Sequence, residues 1–260
     1  MERKMKVSQM KAMARKTLKG KYGISAGATL ITVLILMGGI LAWEFLLFFG
    51  ILAEAATGVS GAGMVVLIVA GVLFLILVMT VYYILNAGLM RLFYNMCTDQ
   101  VYGIGDLLYG FKNRWWRFAG FLWLWTLFVL ILESPSIVLS VAQQLNPMAQ
   151  WTWILDVLLT VVYMVVIVVM SLVFGQSLLI LVEDRNKKLF QSLKESMKLM
   201  RGNKGRYFYM GLSFLGILLL TYGTLGIGML WTIPYMMCTT VYFYLDIKEK
   251  PVLEQEDQGE

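Results

Sequence analysis

The lysines and arginines of this chain are confined to a few short segments. Eight lie in residues 1–22, four in 91–117, eight in 183–206 and the remaining two in the C-terminal tail. Long apolar runs alternate with these segments. Three further segments that connect one apolar run to the next contain no lysine or arginine at all, and they are 44–63, 133–152 and 223–228. Since loops on the cytoplasmic side of a membrane are enriched in both residues, the alternation predicts a chain that crosses a membrane several times in a fixed orientation.

The composition favours lipid over water as the surrounding medium. Hydrophobic residues make up 59% of the 260 positions, charged residues 15%, and the mean hydropathy is +0.73. A soluble domain is about 25% charged, and a soluble chain of this length could not cover so much apolar surface. The net charge of +6 raises nucleic acid as a partner. No nucleic-acid partner is expected, because the charges follow the ends of the apolar runs.

The reactive side chains are few. The chain has two cysteines, Cys97 and Cys238, and no histidine. Two cysteines make neither a disulfide framework nor a zinc site, and histidine is the commonest general base. Cys97 is expected on the inner face and Cys238 within the last span, so we do not expect them to pair. The sequence therefore predicts no cofactor, no metal and no catalytic residue.

Six apolar runs fit transmembrane helices. Their approximate bounds are 24–43, 64–88, 118–140, 153–182, 207–222 and 226–245. A crossing takes about 20 residues, so the fourth run must tilt or project from the membrane. The last two runs are close together and are joined by a glycine-rich turn. Two full crossings are favoured there, although a re-entrant hairpin would return the chain to the same side.

These runs predict an all-α, polytopic membrane protein with amphipathic interfacial helices on the cytoplasmic side. Residues 1–246 are expected to form a single six-span domain with both termini inside, and 247–260 an acidic, disordered cytoplasmic tail. The first apolar run is longer than the roughly 7–15 residues of a secretory signal. It is therefore expected to remain in place as the first span.

The three basic segments, 1–22, 91–117 and 183–206, have the same order of features: an amphipathic stretch, then a glycine, then an apolar run. In the third segment the apolar residues recur at helical spacing: Leu189, Phe190, Leu193, Met197 and Met200. The cations that lie apart from this face are the candidates for contact with lipid headgroups: Lys194, Lys198, Arg201 and Lys204. This pattern predicts a short interfacial helix that ends near Gly202. The similarity is one of pattern, so a structural repeat and a shared inner-interface composition both remain open.

Three polar residues are candidates for a second site. Glu133, two residues before Pro135, and Asp156, at the start of the fourth run, are expected near the outer interface, with Gln176 towards the inner end of that run. One hypothesis is a cation or substrate site, in which Glu133 faces Asp156 across a wet vestibule and Pro135 frees backbone carbonyls. The alternative is that the acids are solvated and Gln176 hydrogen-bonds between helices.

Several short motifs carry a family resemblance. They are Leu18-Lys19-Gly20-Lys21-Tyr22-Gly23, Ser192-Leu193-Lys194-Glu195-Ser196, Met200-Arg201-Gly202-Asn203-Lys204 and Thr224-Leu225-Gly226-Ile227-Gly228. Through them the chain resembles the bacterial membrane family catalogued as domain of unknown function 975, which is related to the membrane region of some glycerophosphodiester phosphodiesterases. The resemblance implies a multi-pass protein of the bacterial cytoplasmic membrane and no established activity. The catalytic barrel of those phosphodiesterases has no counterpart here.

Three classes of function are compatible with these features. The favoured one is a non-enzymatic membrane protein that binds anionic lipid, a membrane-protein partner or a second copy of itself through the basic segments. The second is a small transporter or channel-like protein with a polar site between spans. The third, an enzyme acting on lipid headgroups, is disfavoured because no nucleophile and base stand at a recognisable spacing.

Overall fold

A computed structural model describes residues 4–57, 62–145 and 151–248. Every regular element within these ranges is a helix, so the all-α class is confirmed for the part of the chain that is described. The elements are α1 (Val7–Leu18), α2 (Tyr22–Thr57), α3 (Ala62–Cys97), a 3₁₀-helix (Ile104–Leu108), α4 (Tyr109–Lys112), α5 (Trp116–Leu145), α6 (Trp151–Phe174), α7 (Ser177–Glu183), α8 (Leu189–Leu199), α9 (Lys204–Leu212), α10 (Leu215–Gly223) and α11 (Met229–Lys248). The predicted acidic tail lies almost entirely outside the described residues.

Four stretches of the described chain are helical, long and apolar enough to cross a membrane. They are Tyr22–Ala53, Val65–Cys97, Trp116–Gln144 and Trp151–Glu183, which correspond to the first four predicted spans. At most 6% of the residues in their most apolar windows are buried inside the protein. Their side chains are therefore placed to contact lipid. The fifth and sixth spans stay predictions, since residues 204–223 are divided between two nine-residue helices, α9 and α10.

The fourth apolar run is broken, which the sequence did not predict. Helix α6 ends at Phe174 and α7 begins at Ser177. At the break, a Cβ on Gly175 would lie 2.9 Å from the ring of Tyr207, so Gly175 allows α9 to approach closely. Ser196 of α8 donates a 2.8 Å hydrogen bond to the carbonyl of Val173, which replaces a helical bond lost at the break.

The turn between α10 and α11 is sharp, as the glycines of 223–228 predicted. Leu225 and Gly226 both have positive φ, +52° and +86°, a conformation that glycine adopts without the usual steric cost. The hydroxyls of Thr221 and Thr232 lie 2.8 Å apart across the turn. Helix α11 continues through Pro234 to Lys248, so this proline does not end the helix.

The described residues form two compact units. The first contains the residues up to Ala119 together with Phe214–Phe243, and the second contains Gly120–Ser213 together with the end of α11 from Tyr244. The assignment of residues 1–246 to one domain stays a prediction.

Glycines interlock α2 and α3 in the first unit. Gly39 and Gly50 of α2 face Val78 and Leu67 of α3, and Gly71 of α3 faces Trp43 of α2. At each position an added Cβ would overlap the opposite side chain. Small residues let two membrane helices approach closely enough for extensive van der Waals contact, and the three contacts together fix the register of this hairpin.

The second basic segment of the chain packs on the end of α3. A Cβ on Gly88 of α3 would lie 2.6 Å from the carbonyl carbon of Leu107, and one on Gly110 would lie 2.6 Å from the carbonyl oxygen of Ile84. The backbone of the 3₁₀-helix and α4 is therefore in direct contact with α3. Asp106 reinforces the segment by accepting hydrogen bonds from the amide of Gly103 and from the side chain of Asn95.

The first basic segment is anchored by α1. The buried face of α1 consists of Met10, Ala14 and Leu18. Its Thr17 hydroxyl lies 2.5 Å from the hydroxyl of Tyr242 in α11, and the ammonium of Lys11 lies 4.1 Å from the centre of the Phe214 ring. Burial, together with the charge of Arg15, lowers the pKa of Lys11 below its ordinary value.

The two cysteines are neighbours, which the sequence did not predict. Both are buried, free thiols, and Cys97 Sγ lies 4.0 Å from the carbonyl oxygen of Cys238. The expectation that they do not pair is consistent with this state. The reason given for it was wrong, because Cys97 at the end of α3 packs against α11.

All three basic segments enter the next helix through a residue with left-handed backbone conformation. Gly20 (φ +79°) precedes α2, Arg114 (φ +50°) precedes α5 and Gly202 (φ +73°) precedes α9, each two positions before the helix begins. A non-glycine residue pays a steric penalty of roughly 1–2 kcal/mol in this conformation. All three segments therefore share this left-handed residue before the helix, and in the second segment it is an arginine instead of a glycine.

Candidate functional site

Helix α8 is the centre of the third basic segment, and one of its faces packs against protein. Ser192, Leu193, Ser196 and Leu199 are buried, as is Met200 directly after the helix. The sequence predicted that this apolar face would enter the acyl region of the membrane. The structure corrects part of that prediction: Leu193 and Met200 of this face are covered by protein, because α8 packs on α6 and α7.

A narrower strip of α8 remains exposed. The side chains of Phe190 and Met197 are 67% and 39% exposed. These two residues are seven positions apart and so lie above one another on the helix. Lys194, Lys198 and Arg201 are exposed beside them. An apolar strip next to a row of cations is the arrangement of a helix lying at a membrane surface.

The turn after α8 is built from the residues of the Arg-Gly-Asn-Lys motif. Gly202 supplies the positive φ, which agrees with its predicted place at the helix end. Asn203 donates a 2.9 Å hydrogen bond from its side chain to the carbonyl of Leu199. This contact satisfies a carbonyl that the end of α8 leaves without a helical partner, and it holds Arg201 and Lys204 outside the turn.

The acids near this turn form ion pairs with a different set of cations. Lys187 Nζ lies 2.5 Å from Glu195, and Arg206 Nη2 lies 2.6 Å from Asp246. Lys248 pairs with Glu183, whose carboxylate also accepts a 2.6 Å hydrogen bond from the hydroxyl of Tyr244. Asp246 is almost fully buried, with 8% of its side chain exposed, so the Arg206–Asp246 pair is the most shielded of the three.

The predicted headgroup-binding cations stand apart from these pairs. Lys194, Lys198, Arg201 and Lys204 are all exposed. Within the described residues none of their side chains makes an ion pair or a hydrogen bond. Glu195, Asp246 and Glu183 are thus paired with Lys187, Arg206 and Lys248, and in the described part of the chain the four exposed cations have no acidic partner.

Gln176 and Ser177 form a polar pair at the break in the fourth run. Both are fully buried. Both side-chain polar atoms of Gln176 and the hydroxyl of Ser177 have no hydrogen-bond partner among the described residues. An unsatisfied buried polar group costs about 1–3 kcal/mol. The prediction that Gln176 hydrogen-bonds between helices is therefore not met by the described part of the chain.

Glu133 lies further from the end of its hairpin than the sequence suggested. The phenol of Tyr163 lies near its carboxylate, and Tyr163 is the thirteenth residue of α6. Pro135 does not break α5, which runs to Leu145. The carbonyl of Ile131, which loses its helical partner at Pro135, accepts a 2.8 Å hydrogen bond from Ser134 and is not left available to a ligand.

The three predicted polar residues do not form a common site. Asp156 and Gln176 are twenty residues apart on the α6–α7 run, about 30 Å at 1.5 Å per residue. Glu133 meets Tyr163 between these two levels, and none of the three lines the groove found between α5 and α6. Within the described ranges, no three histidine, cysteine or acidic residues are close enough to hold a metal ion.

The described residues thus define an all-helical chain with four helices apolar enough to cross a membrane, the pattern of a multi-pass membrane protein. The chain belongs to the family described as "Protein of unknown function (DUF975)", whose model matches residues 4–251. No curated protein and no solved structure matches it.

Proposed function

We propose that this protein is a six-span protein of the bacterial cytoplasmic membrane that acts without catalysis, by binding anionic lipid headgroups at its cytoplasmic surface. The binding face consists of Lys194, Lys198, Arg201 and Lys204, with Phe190 and Met197 in contact with the acyl boundary. The last two spans are formed by α9–α10 and by α11. A membrane-protein partner or a second copy of the chain is the competing occupant of this face.

One observation carries the proposal. Glu195, Asp246 and Glu183 are engaged by Lys187, Arg206 and Lys248, while four neighbouring cations are exposed. A cation whose charge is already neutralised by an acid contributes little to the attraction of an anionic surface. An exposed, unpaired lysine or arginine contributes about 1 kcal/mol near such a surface. The ion-pair arrangement therefore concentrates attraction for phosphate groups on α8 and the turn after it.

The transporter hypothesis has less support. It rests on a polar site between spans, and its candidate residues, Glu133, Asp156 and Gln176, lie at different heights along the α5–α6 hairpin and the α6–α7 run. The enzyme hypothesis would need a nucleophile near a general base. The proposed binding face consists of cations and apolar side chains, which suit binding to a headgroup better than bond cleavage.

The lipid preference is tested with the full-length protein in nanodiscs that contain equal amounts of phosphatidylglycerol and phosphatidylcholine. After extraction, the lipids that remain bound are counted by native mass spectrometry. In a variant with Lys194, Lys198, Arg201 and Lys204 all changed to Gln, we expect the preference for phosphatidylglycerol to fall by at least about tenfold, given roughly 1 kcal/mol for each cation removed. The wild-type preference should also weaken with salt, because exposed charges are screened.

The matched control keeps the charge and changes the side chains. It carries Lys194→Arg, Lys198→Arg, Arg201→Lys and Lys204→Arg, and it should retain the wild-type preference. If the Gln variant retains phosphatidylglycerol as well as this control does, the lipid-binding role is refuted. The Gln variant could instead keep its lipid preference but lose a copurifying protein or its own oligomeric state. That result would show that the face binds a membrane-protein partner or a second copy of the chain, and not lipid.

The proposed orientation is tested by labelling introduced cysteines in cells, in a background of Cys97→Ala and Cys238→Ala. Gln144 and Lys188 are both exposed, whereas Ser196 is buried and hydrogen-bonded and would report burial instead of sidedness. With an impermeant thiol reagent, we expect Gln144→Cys to react in intact cells and Lys188→Cys to react only after permeabilisation. The opposite result would invert the topology.

A further inference from the structure

A groove of about 480 Å³ lies between α5 and α6 in the second unit. Its apolar lining consists of Pro135, Val138, Leu139 and Ala142 from α5 and Leu155 and Leu159 from α6, and Ser134 lies at one edge. Pockets that take drug-sized molecules are typically about 300–1,000 Å³ and mainly apolar. The groove falls within this size range and has a mainly apolar lining, and it is open along one side, where Val138 is 69% exposed.

A carboxylate and a phenol stand at one end of the groove. Glu133 precedes the first lining residue of α5, and Tyr163 follows the last lining residue of α6 by about one turn. Because the two helices run in opposite directions through the groove, both residues mark the same end, and the phenol lies near the carboxylate there. Each lies twelve residues from the end of its helix, Leu145 or Trp151. That separation is about 18 Å, within a hydrocarbon core that is about 30 Å thick.

From residue 118 onwards, the charged residues of the α5–α6 hairpin are all acidic. No lysine or arginine occurs anywhere from residue 118 to residue 184, whereas Glu133 and Asp156 both lie in the α5–α6 hairpin. A carboxylate away from water is costly unless a positive charge neutralises it. The hairpin supplies no such charge, so a ligand that brings one from outside would be favoured next to Glu133, and the apolar groove beside it suits a ligand with an apolar body.

We propose that the groove binds hydrophobic organic cations, with the apolar body of the ligand between α5 and α6 and its positive charge next to Glu133 and Tyr163. The Tyr163 ring adds attraction, because the face of an aromatic ring is electron-rich. Ser134 is already hydrogen-bonded to the carbonyl of Ile131, so the recognition depends on charge and shape. This site is independent of the cationic face on α8.

The test compares two probes of the same shape and opposite charge, tetraphenylphosphonium and tetraphenylborate, by equilibrium dialysis against the full-length protein in neutral detergent. We expect saturable binding of tetraphenylphosphonium and none of tetraphenylborate. Glu133→Gln, which preserves the size of the side chain, should weaken tetraphenylphosphonium binding by at least about tenfold, since it removes the charge. Glu44→Gln, a change of an exposed acid on α2, should leave binding unaltered.

A second variant tests the groove without altering the acid. Val138→Trp fills the space between α5 and α6 and should also abolish saturable binding. Equal binding to Glu133→Gln and wild type would overturn the assignment of the charge, and unaltered binding to Val138→Trp would overturn the placement in the groove. Saturable binding of tetraphenylborate, or of neither probe, would overturn the proposal as a whole.

Discussion

Gly88→Ala is expected to abolish most of the folded protein. The added Cβ would lie 2.6 Å from the carbonyl carbon of Leu107 and 2.7 Å from the carbonyl oxygen of Asp106. These are backbone atoms, so no side-chain rotation relieves the overlap. Overpacking of a core costs about 1–3 kcal/mol when side chains can adjust, and separation of the 3₁₀-helix from α3 costs more. Size-exclusion chromatography in detergent should show a loss of the monodisperse peak.

Gly38→Ala is the matched control for this prediction. Gly38 also lies within a long apolar helix, but nothing stands within 4 Å of a Cβ at that position. Alanine is favoured over glycine within a helix by roughly 0.5–1 kcal/mol, so this variant should be at least as stable as the wild type. Similar chromatograms for the two variants would mean that the contact between Gly88 and Leu107 does not exist.

Asp246→Ala is expected to destabilise the protein by roughly 2–3 kcal/mol. The change removes a carboxylate that lies 2.6 Å from the guanidinium of Arg206, and the two side chains are 23% and 8% exposed for Arg206 and Asp246. Breaking a fully buried ion pair costs about 3–5 kcal/mol, because it leaves the other charge uncompensated. The partial exposure of Arg206 lowers that cost. The measurement is the midpoint of thermal unfolding in detergent.

The pair of Lys187 and Glu195 provides the comparison. Its atoms are just as close, at 2.5 Å, but its side chains are 23% and 31% exposed. Exposed ion pairs contribute about 0–1 kcal/mol, so Glu195→Ala should lower the unfolding midpoint much less than Asp246→Ala. Adding Arg206→Met to Asp246→Ala should recover part of the loss. Equal effects of the two acidic substitutions would show that burial does not control the strength of these pairs.

The long apolar helices could be predicted from the sequence because helices that face lipid consist mainly of apolar residues. A residue that faces lipid must be apolar whatever its neighbours are, so the runs 24–43, 64–88 and 118–140 each fall within one observed helix. The helices extend beyond these runs at both ends. Single charged residues such as Glu44 and Arg91 mark the limits of the apolar runs but do not interrupt the helices.

The break at Gly175 and Gln176 could not be predicted in the same way. The run on both sides is apolar, and a single glycine within it is compatible with a continuous helix. The cause of the break lies elsewhere in the chain: Tyr207 occupies the space at Gly175, and Ser196 satisfies the carbonyl of Val173. Contacts of this kind depend on tertiary packing, which the local sequence does not record.

The candidate lipid face illustrates the same limit. Periodicity correctly predicted a helix over Leu189–Leu199, and it separated the cations from the apolar residues. It could not distinguish apolar residues that face lipid from those that face protein, since both are hydrophobic. Leu193 packs inside the protein, whereas Phe190 remains exposed.

The interlocked glycines of the first hairpin determine how it can respond to the thickness of the bilayer. The apolar stretch Tyr22–Ala53 has 32 residues, a length of about 48 Å, against a hydrocarbon core of about 30 Å. Such a mismatch is relieved by tilt or by local thickening of the bilayer. Helices α2 and α3 cannot slide along each other to shorten the hairpin. Gly39, Gly50 and Gly71 each face a larger side chain of the other helix, and these contacts fit only one alignment of the two helices. The hairpin therefore responds to a thinner bilayer as one rigid body, by tilting as a whole or by drawing thicker lipid around it.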